Sequence, residues 1–475
     1  MRIQCNRCAV MRNTGSDMEA PGDTLASKKG IAVVGSGYVG TVMAACLADL
    51  GHDVIGIEID VDKVTLLNSG VAPFFEAGLD DRLQSGVESG RLTFTDDYQF
   101  AMDRTEIVFL CVDTPPGTNG HPNMTSVASA AESIGSAMRE PHIIVTKSTV
   151  PVGSGNWLHA TIETALPDGV GSDVLTVVSN PEFLREGSAV EDFMHPDRIV
   201  VGGDCADSVE RVAQVYDRVL SQSFDGGDPT RKPTLLKTGR ATAETIKYAA
   251  NAFLATKISF INEIANICEW LDADVAEVAH AIGLDSRIGP GFLNAGVGWG
   301  GSCFGKDTAA LASMAREQGI EPLILDAVRR VNTNQRHTVV RKLQHHLRPL
   351  RGRKVALLGV AFKPGTDDTR DAPAITIAKS LGEKGVLVSA SDPMVLHLPG
   401  VDDLVIHADP YVAILNADAT VLLTEWPDFV ELDFDKVARH MRGNVVIDGR
   451  NALDPGAVMA AGLVYEGIGR YSARN

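Results

Sequence analysis

At 475 residues the chain is too long for one ordinary hydrophobic core, so two or three domains are expected. A composition 44% hydrophobic and 22% charged fits a globular protein and excludes an intrinsically disordered one. The formal net charge of -18 argues against nucleic acid or an anionic membrane surface as partner.

Residues 1–29 have neither the basic start nor the apolar run of a secretory signal and are expected to form a flexible extension. Cys5 and Cys8 have CxxC spacing, but a zinc site needs a second pair, so two plain thiols are expected there and no metal elsewhere. The 7 Cys residues are scattered and odd in number, as in a reduced cytoplasmic enzyme. Cys46, Cys111, Cys205 and Cys268 are expected to act as small packing residues. The sequence has no apolar run of about 18 residues, so no membrane span is expected.

From Gly30 to about Asp228, short β-branched runs alternate with helical patterns, which predicts a parallel sheet with crossover helices. The runs at 31–34, 54–57, 107–111, 143–146, 176–178 and 199–201 read as strands. A polar stretch with Gly and Pro, residues 223–233, punctuates the chain. Residues 241–271 then lack Pro and Gly and place apolar residues at helical spacing, predicting a long helix suited to a spine and a dimer surface. Further helices are interrupted by the Gly-rich segment 289–305. Strand patterns return at 355–358, 386–389, 420–423 and 445–447, predicting a second α/β unit. The fold class is therefore α/β, with two Rossmann-like parallel-sheet domains joined by a helical region.

The segment Ile31–Gly40, IAVVGSGYVG, is an apolar strand running into GxGxxG. Gly35 suits the tight turn, Gly37 lets backbone amides approach a pyrophosphate, and Gly40 permits close helix–strand packing. The helix that follows directs its N-terminal partial positive charge at phosphate. Glu58, at the end of the next strand, can accept from ribose hydroxyls and would repel a 2′-phosphate, so NAD is the expected cofactor.

Four further segments carry chemistry: TKSTVPVG at 146–153, NPEFLREG at 180–187, the pair Lys247 and Asn251 on one face of the long helix, and GWGGSCFGKD at 298–307. The first two follow strands, where ligands of open α/β sheets gather. Cys303 is expected near a helix N-terminus with Lys306 close by, an environment that favours the thiolate. Asp307 lies four residues on, and the glycines before Cys303 are expected to leave room for a substrate. A nucleophilic thiol beside an NAD fold has a specific meaning: it can trap an aldehyde as a thiohemiacetal, which loses a second hydride to become a thioester.

These motifs, with AANAFLA at 249–255, GVAFKPGTDDTRDAP at 359–373 and DGRN at 448–451, resemble the nucleotide-sugar 6-dehydrogenases of the UDP-glucose/GDP-mannose dehydrogenase family. The resemblance spans nearly the whole chain from Gly30 and includes several long motifs in the same order. It implies an NAD-binding Rossmann domain at 30–228, a central helical and dimerisation domain at 229–348, and a nucleotide-sugar-binding α/β domain at 349–475. It implies that Cys303 forms the thioester, that Asp307 activates or positions the hydrolytic water, and that Lys247 and Asn251 stabilise oxyanions. Thr149 and Glu186 would bracket a proton-relaying water, with Glu182 beside the substrate.

By the same resemblance the NAD contacts comprise Gly35, Gly37, Tyr38, Val39, Gly40, Glu58, Lys63, Thr114, Thr149, Lys306 and Arg370. The substrate contacts would add Phe183, Leu184, Arg185, Phe292, Leu293, Gly300 and Phe362, with Arg287, Lys363 and Arg450 as the basic groups for an anionic nucleotide sugar. Arg287 would reach the neighbouring subunit, so a homodimer is expected. UDP-glucose is the expected substrate; GDP-mannose, a UDP-N-acetylhexosamine and a two-electron 3-hydroxyacid-type reaction are the alternatives. Two positions depart from the family pattern: Gly305 stands where many relatives have Pro, and Trp299 where Tyr or Phe is commoner.

Overall fold

The computed structural model describes residues 30–470, so the N-terminal segment with Cys5 and Cys8 lies outside the described residues. The chain divides into two compact units after Tyr248, within the helix Arg240–Leu271.

The first unit is built on an eight-stranded sheet. Its strands are β1 (Gly30–Val34), β2 (Val54–Ile57), β3 (Leu92–Thr95), β4 (Thr105–Leu110), β5 (His142–Thr146), β6 (Leu175–Ser179), β7 (Arg198–Gly203) and β8 (Thr234–Thr238). The spatial order is β3-β2-β1-β4-β5-β6-β7-β8, the doubly wound arrangement in which strand order reverses beside β1. Side chains alternate across the sheet. Ile31 and Val33 of β1 pack into one buried cluster, while Ala32 and Val34 pack into another on the opposite face.

Two features depart from the expected plan. β7 pairs antiparallel with β6, through Val178↔Gly203 and Ser179↔Gly202, in an otherwise parallel sheet. β8 follows the Gly- and Pro-containing break, beyond residue 228, yet pairs with β7, so the first sheet extends past that break.

The second unit holds a six-stranded parallel sheet of β9 (Lys354–Leu358), β10 (Leu387–Ser391), β11 (Val405–His407), β12 (Ala419–Leu422), β13 (Val445–Asp448) and β14 (Val464–Gly467). Its order, β11-β10-β9-β12-β13-β14, repeats the reversal beside its first strand. The predicted long helix spans Arg240–Leu271, within one residue of expectation at its start. Two more helices of this unit, Phe304–Glu317 and Leu323–His346, complete the frame around the Gly-rich segment. Among the described residues no helix is long and apolar enough to cross a membrane.

Candidate active site

In the first unit the dinucleotide turn sits at the C-terminal end of β1, at the point where the strand order reverses. Gly35 has φ +90°, and a Cβ there would press within 3.0 Å of the Val112 backbone, so both conformation and space require glycine. A Cβ on Gly37 would meet nothing within 4 Å, which leaves an open approach to the backbone at the start of the helix Tyr38–Asp49. Glu58 Oε1 accepts from the amides of Ile59 and Asp60, Oε2 accepts from the Ser36 amide, and Lys63 Nζ lies 3.0 Å from Oε2. The open glycine cradle and a carboxylate anchored beside it fit NAD. Thr114, after β4, is buried and donates to the Thr149 carbonyl at 2.9 Å.

The two strand-end motifs meet in the same unit. Thr149, Ser179, Pro181, Glu244, Lys247 and Tyr248 line one small cavity. Lys247 Nζ donates to Glu182 Oε1 at 2.7 Å, with both side chains buried. The Leu184 amide donates to Glu182 Oε2 at 2.6 Å. Burial would raise the Glu182 carboxyl, but the charge and hydrogen bond of Lys247, with help from the Leu184 amide and Lys147, hold it below the ordinary 4.5. Phe183 is covered by the Arg198 guanidinium, 3.9 Å from the ring centroid. Arg185 is exposed and forms a bidentate pair with Asp192, and Glu186 is half-buried.

Three polar side chains not singled out from sequence also shape this region. Lys147, inside the TKSTVPVG motif, is buried, with Nζ 3.1 Å from Asn180 Oδ1 and 3.5 Å from the Tyr216 hydroxyl. Its burial pushes the ammonium down to about 8, against the raising influence of Cys111 and Glu182, while Lys247 lowers it further. Glu244 accepts from the Gly153 amide at 2.7 Å and the Ser179 hydroxyl at 2.9 Å, and burial raises its carboxyl. Its place three residues before Lys247, on the same helix face, was a readable signal. Glu76 accepts amides from Gly187 and Ala189, each at 2.7 Å, a pairing with no local sequence signature.

In the second unit Cys303 is the N-cap of the helix Phe304–Glu317, and its Sγ lies 3.5 Å from the Ser302 hydroxyl. The Asp307 amide closes the first turn onto the Cys303 carbonyl at 2.9 Å. Asp307 is 1% exposed, with Oδ1 2.6 Å from Lys306 Nζ and Oδ2 2.6 Å from Asn251 Nδ2. The carboxylate is thus fixed by two donors, one of them charged.

Before Cys303, Cβ atoms at Gly298 and Gly301 would fall 2.5 Å from Asn332 Oδ1 and 2.9 Å from the Phe362 ring, so packing at both positions requires glycine. Both also have positive φ. At Gly300 a Cβ would meet the Asp371 carbonyl at 2.5 Å. Trp299 is buried and locked by Asn332, which accepts from its amide at 2.8 Å and donates to its carbonyl at 3.0 Å. Its indole N–H donates to the Ser259 hydroxyl at 3.1 Å, a satisfied polar tip that Phe would lack.

The remaining basic positions have distinct settings. Arg450 donates to the carbonyls of Leu423 at 2.6 Å and Phe362 at 3.0 Å. Lys363 Nζ stands 5.5 Å from the Phe362 ring centroid. Arg287 is 86% exposed and paired with its neighbour Asp285, and Arg370 pairs with Asp368 in the same manner. Phe292 has φ +64° and contacts Phe304, ring to ring at 6.4 Å, while Leu293 is buried. Cys46, Cys111 and Cys268 are buried as expected, whereas Cys205 is half-buried.

Comparison with known proteins gives a consistent result. Models of the UDP-glucose/GDP-mannose dehydrogenase family match as its NAD binding domain at residues 29–220, its central domain at 241–334 and its UDP binding domain at 356–455. The chain is 44% identical to UDP-glucose 6-dehydrogenase of Rhizobium meliloti, over 93% of this chain and 99% of that protein. It is 42% identical to UDP-glucose 6-dehydrogenase TuaD of Bacillus subtilis, over 94% of each. Among solved structures, a UDP-glucose dehydrogenase from Pyrobaculum islandicum superposes with TM-score 0.84 at 36% identity, covering 95% of this chain and all of that one. The chain belongs to the UDP-glucose/GDP-mannose dehydrogenase family and is an NAD-dependent nucleotide-sugar 6-dehydrogenase.

Proposed function

We propose that the chain oxidises UDP-glucose to UDP-glucuronate with two NAD reduced per turnover, through a covalent thioester on Cys303. The observation that carries this reading is Cys303 at a helix N-terminus with Asp307 one turn further on, held by Asn251 and Lys306. The relatives named for UDP-glucose oxidation, at 42% and 44% identity, support the choice of sugar.

Bound NAD supplies the hydride acceptor, and Gly35, Gly37, Tyr38, Val39, Gly40, Glu58, Lys63, Thr114, Lys306 and Arg370 are the residues we assign to it. After the alcohol has become an aldehyde, the Cys303 thiolate adds to the carbonyl carbon and the π electrons move to oxygen. Lys247 and Asn251 donate to that oxyanion, a form of stabilisation that is a large catalytic contribution. Hydride loss collapses the thiohemiacetal to a thioester. Water positioned by Asp307 attacks the acyl carbon and the thiolate leaves, which regenerates Cys303. Thr149 and Glu186 bracket the water that relays the alcohol proton, and Glu182 fixes Lys247 until substrate arrives.

Arg450, Lys363 and a partner-supplied arginine at the position of Arg287 offset the substrate charge, and Phe183, Leu184, Arg185, Phe292, Leu293, Gly300 and Phe362 complete the substrate contacts. The domains at 30–228, 229–348 and 349–475 are assigned cofactor binding, dimerisation and nucleotide-sugar binding, with β8 of the second completing the sheet of the first. A homodimer is supported by Phe253, Phe260 and Ile267, which are 65%, 51% and 44% exposed at seven-residue spacing on the helix Arg240–Leu271. A cytoplasmic location fits the reduced thiols.

The test is NADH yield on UDP-glucose, GDP-mannose and UDP-N-acetylhexosamines, repeated with Cys303→Ser. The expected result is about two NADH per UDP-glucuronate, one for each hydride step. The Ser variant is expected to fail in steady-state turnover, because an alkoxide forms less readily and leaves less readily. Inactivity on UDP-glucose with turnover of another sugar would overturn the substrate, and normal output from Cys303→Ser would overturn the thioester.

A further inference from the structure

Glu76 lies between the helices Val61–Asn68 and Leu79–Glu88, belongs to none of the motifs above, and is 5% exposed. Its carboxylate gathers three donors from two distant segments. Oε1 accepts the Ala189 amide at 2.7 Å. Oε2 accepts the Gly187 amide at 2.7 Å and also the Tyr38 hydroxyl. Gly187 N–H is in turn 2.7 Å from the Tyr38 oxygen, so tyrosine, carboxylate and loop amide form one closed cluster.

Each end of this cluster touches a functional segment. Tyr38 is the first residue of the helix that opens the dinucleotide turn, and its ring packs on Phe74 at 4.7 Å. Gly187 directly follows Glu186 in NPEFLREG, and its φ of +79° marks the sharp turn that ends that loop. Ala189 begins the helix Ala189–Met194, so its amide is one of those a helix start leaves without an intrahelical partner. An ionised carboxylate offers only acceptors, which suits three converging donors; an amide would turn one N–H against them.

We propose that Glu76 is a positioning residue that sets the loop carrying Glu182 and Glu186 and couples its order to occupancy of the cofactor turn through Tyr38. The catalytic half of this statement rests on the function proposed above; the coupling to NAD does not. The geometry dictates the consequence. A loop shifted by on the order of 1 Å from a productive position loses on the order of a hundredfold in rate.

The experiment combines amide hydrogen exchange with kinetics on the full-length protein, for wild type, Glu76→Gln and Tyr38→Phe. NAD alone is expected to slow exchange across residues 182–189 about fivefold or more in wild type, the usual lower size of a coupling between sites. Both variants are expected to abolish that protection. With NAD varied from below its KM to saturation, each is expected to lower kcat on UDP-glucose more than it raises the KM for NAD. The double variant is expected to be no worse than Glu76→Gln alone, because both changes act on one cluster. Tyr38→Phe keeps the ring on Phe74 and decides the matter if Glu76→Gln does not fold.

NAD-dependent protection that persists in Tyr38→Phe, or rate losses that multiply independently in the double variant, would overturn the proposal. A wild type inactive on UDP-glucose, with the NAD-dependent protection present and lost in the variants, would instead overturn the substrate reading and support the coupling.

Discussion

The ammonium of Lys247 donates to the Glu182 carboxylate over 2.7 Å, and their side chains are only 5% and 9% exposed. A buried ion pair of this kind adds little net stability over an apolar pair, but loss of one partner strands the other charge. Glu182→Gln is therefore expected to lower the unfolding free energy at neutral pH by about 3–5 kcal/mol. The pH dependence has a definite sign. A carboxyl held below 4.5 binds fewer protons folded than unfolded, so its stabilisation is complete above that pH and disappears as pH falls below it. Denaturant melts should show a shallower acid-side decline in the variant. Equal acid-side slopes would refute the assignment.

Lys147 shifts with the same sign in a higher pH window. Its folded-state proton leaves near pH 8, whereas the ordinary value is 10.5, so between those limits the unfolded chain binds more protons. Stability from this group rises with pH through that window. Cys111, pushed up to about 12 by burial, contributes in the other direction, so the informative quantity is the difference between wild type and Lys147→Met. That difference is expected to grow in favour of wild type by up to about 1.4 kcal/mol per pH unit. A flat difference would mean that the ammonium keeps its proton.

Gly305 occupies the first turn of the helix Phe304–Glu317, and an added Cβ would find its nearest neighbour, Asp371 Oδ2, at 3.4 Å. The site accepts a methyl group, and the unfolded chain loses freedom. Gly305→Ala is expected to raise stability by about 0.5–1 kcal/mol without changing NADH yield per product. Thermal unfolding would check it, and a lower melting temperature would show that the added carbon is forced against Asp371.

The exposed stripe of Phe253, Phe260 and Ile267 yields a prediction about assembly. Phe260→Glu places a charge at its centre and is expected to convert the proposed dimer to monomer in sedimentation experiments, with activity falling in parallel. A monomeric wild type would remove this face from the assembly.

Interior strands were readable and edge strands were not. All ten predicted strands are present within two residues at either end. The four that no pattern suggested, β3, β8, β11 and β14, are the four outer strands of the two sheets. A central strand buried on both faces reads as a continuous apolar run, as in Ile107–Leu110. An edge strand such as Thr234–Thr238 is mostly solvent-facing and leaves no such trace.

The site divides along the same line. Cys303 and Asp307 are one helical turn apart, so their spacing was legible locally. Glu76 is 111 residues from Gly187 and 113 from Ala189, a meeting that only the folded chain creates. The glycines at 298 and 301 illustrate the converse: their need for space was legible, but its occupants, Asn332 and Phe362, were not.

Glu58 and Lys63 form an ion pair, 3.0 Å apart at the end of β2, and with Glu58 assigned to the coenzyme this pair predicts that coenzyme preference can be redirected by one substitution. The carboxylate that would reject a 2′-phosphate also neutralises a cation beside it. Glu58→Gln would remove the repulsion and unmask the ammonium in one substitution, so the ratio of kcat/KM for NADP over NAD should rise in the variant, and fall back when Lys63→Ala is added. The proposed assignment of Glu58 to the coenzyme thus gives one side chain two tasks, excluding a 2′-phosphate and neutralising Lys63.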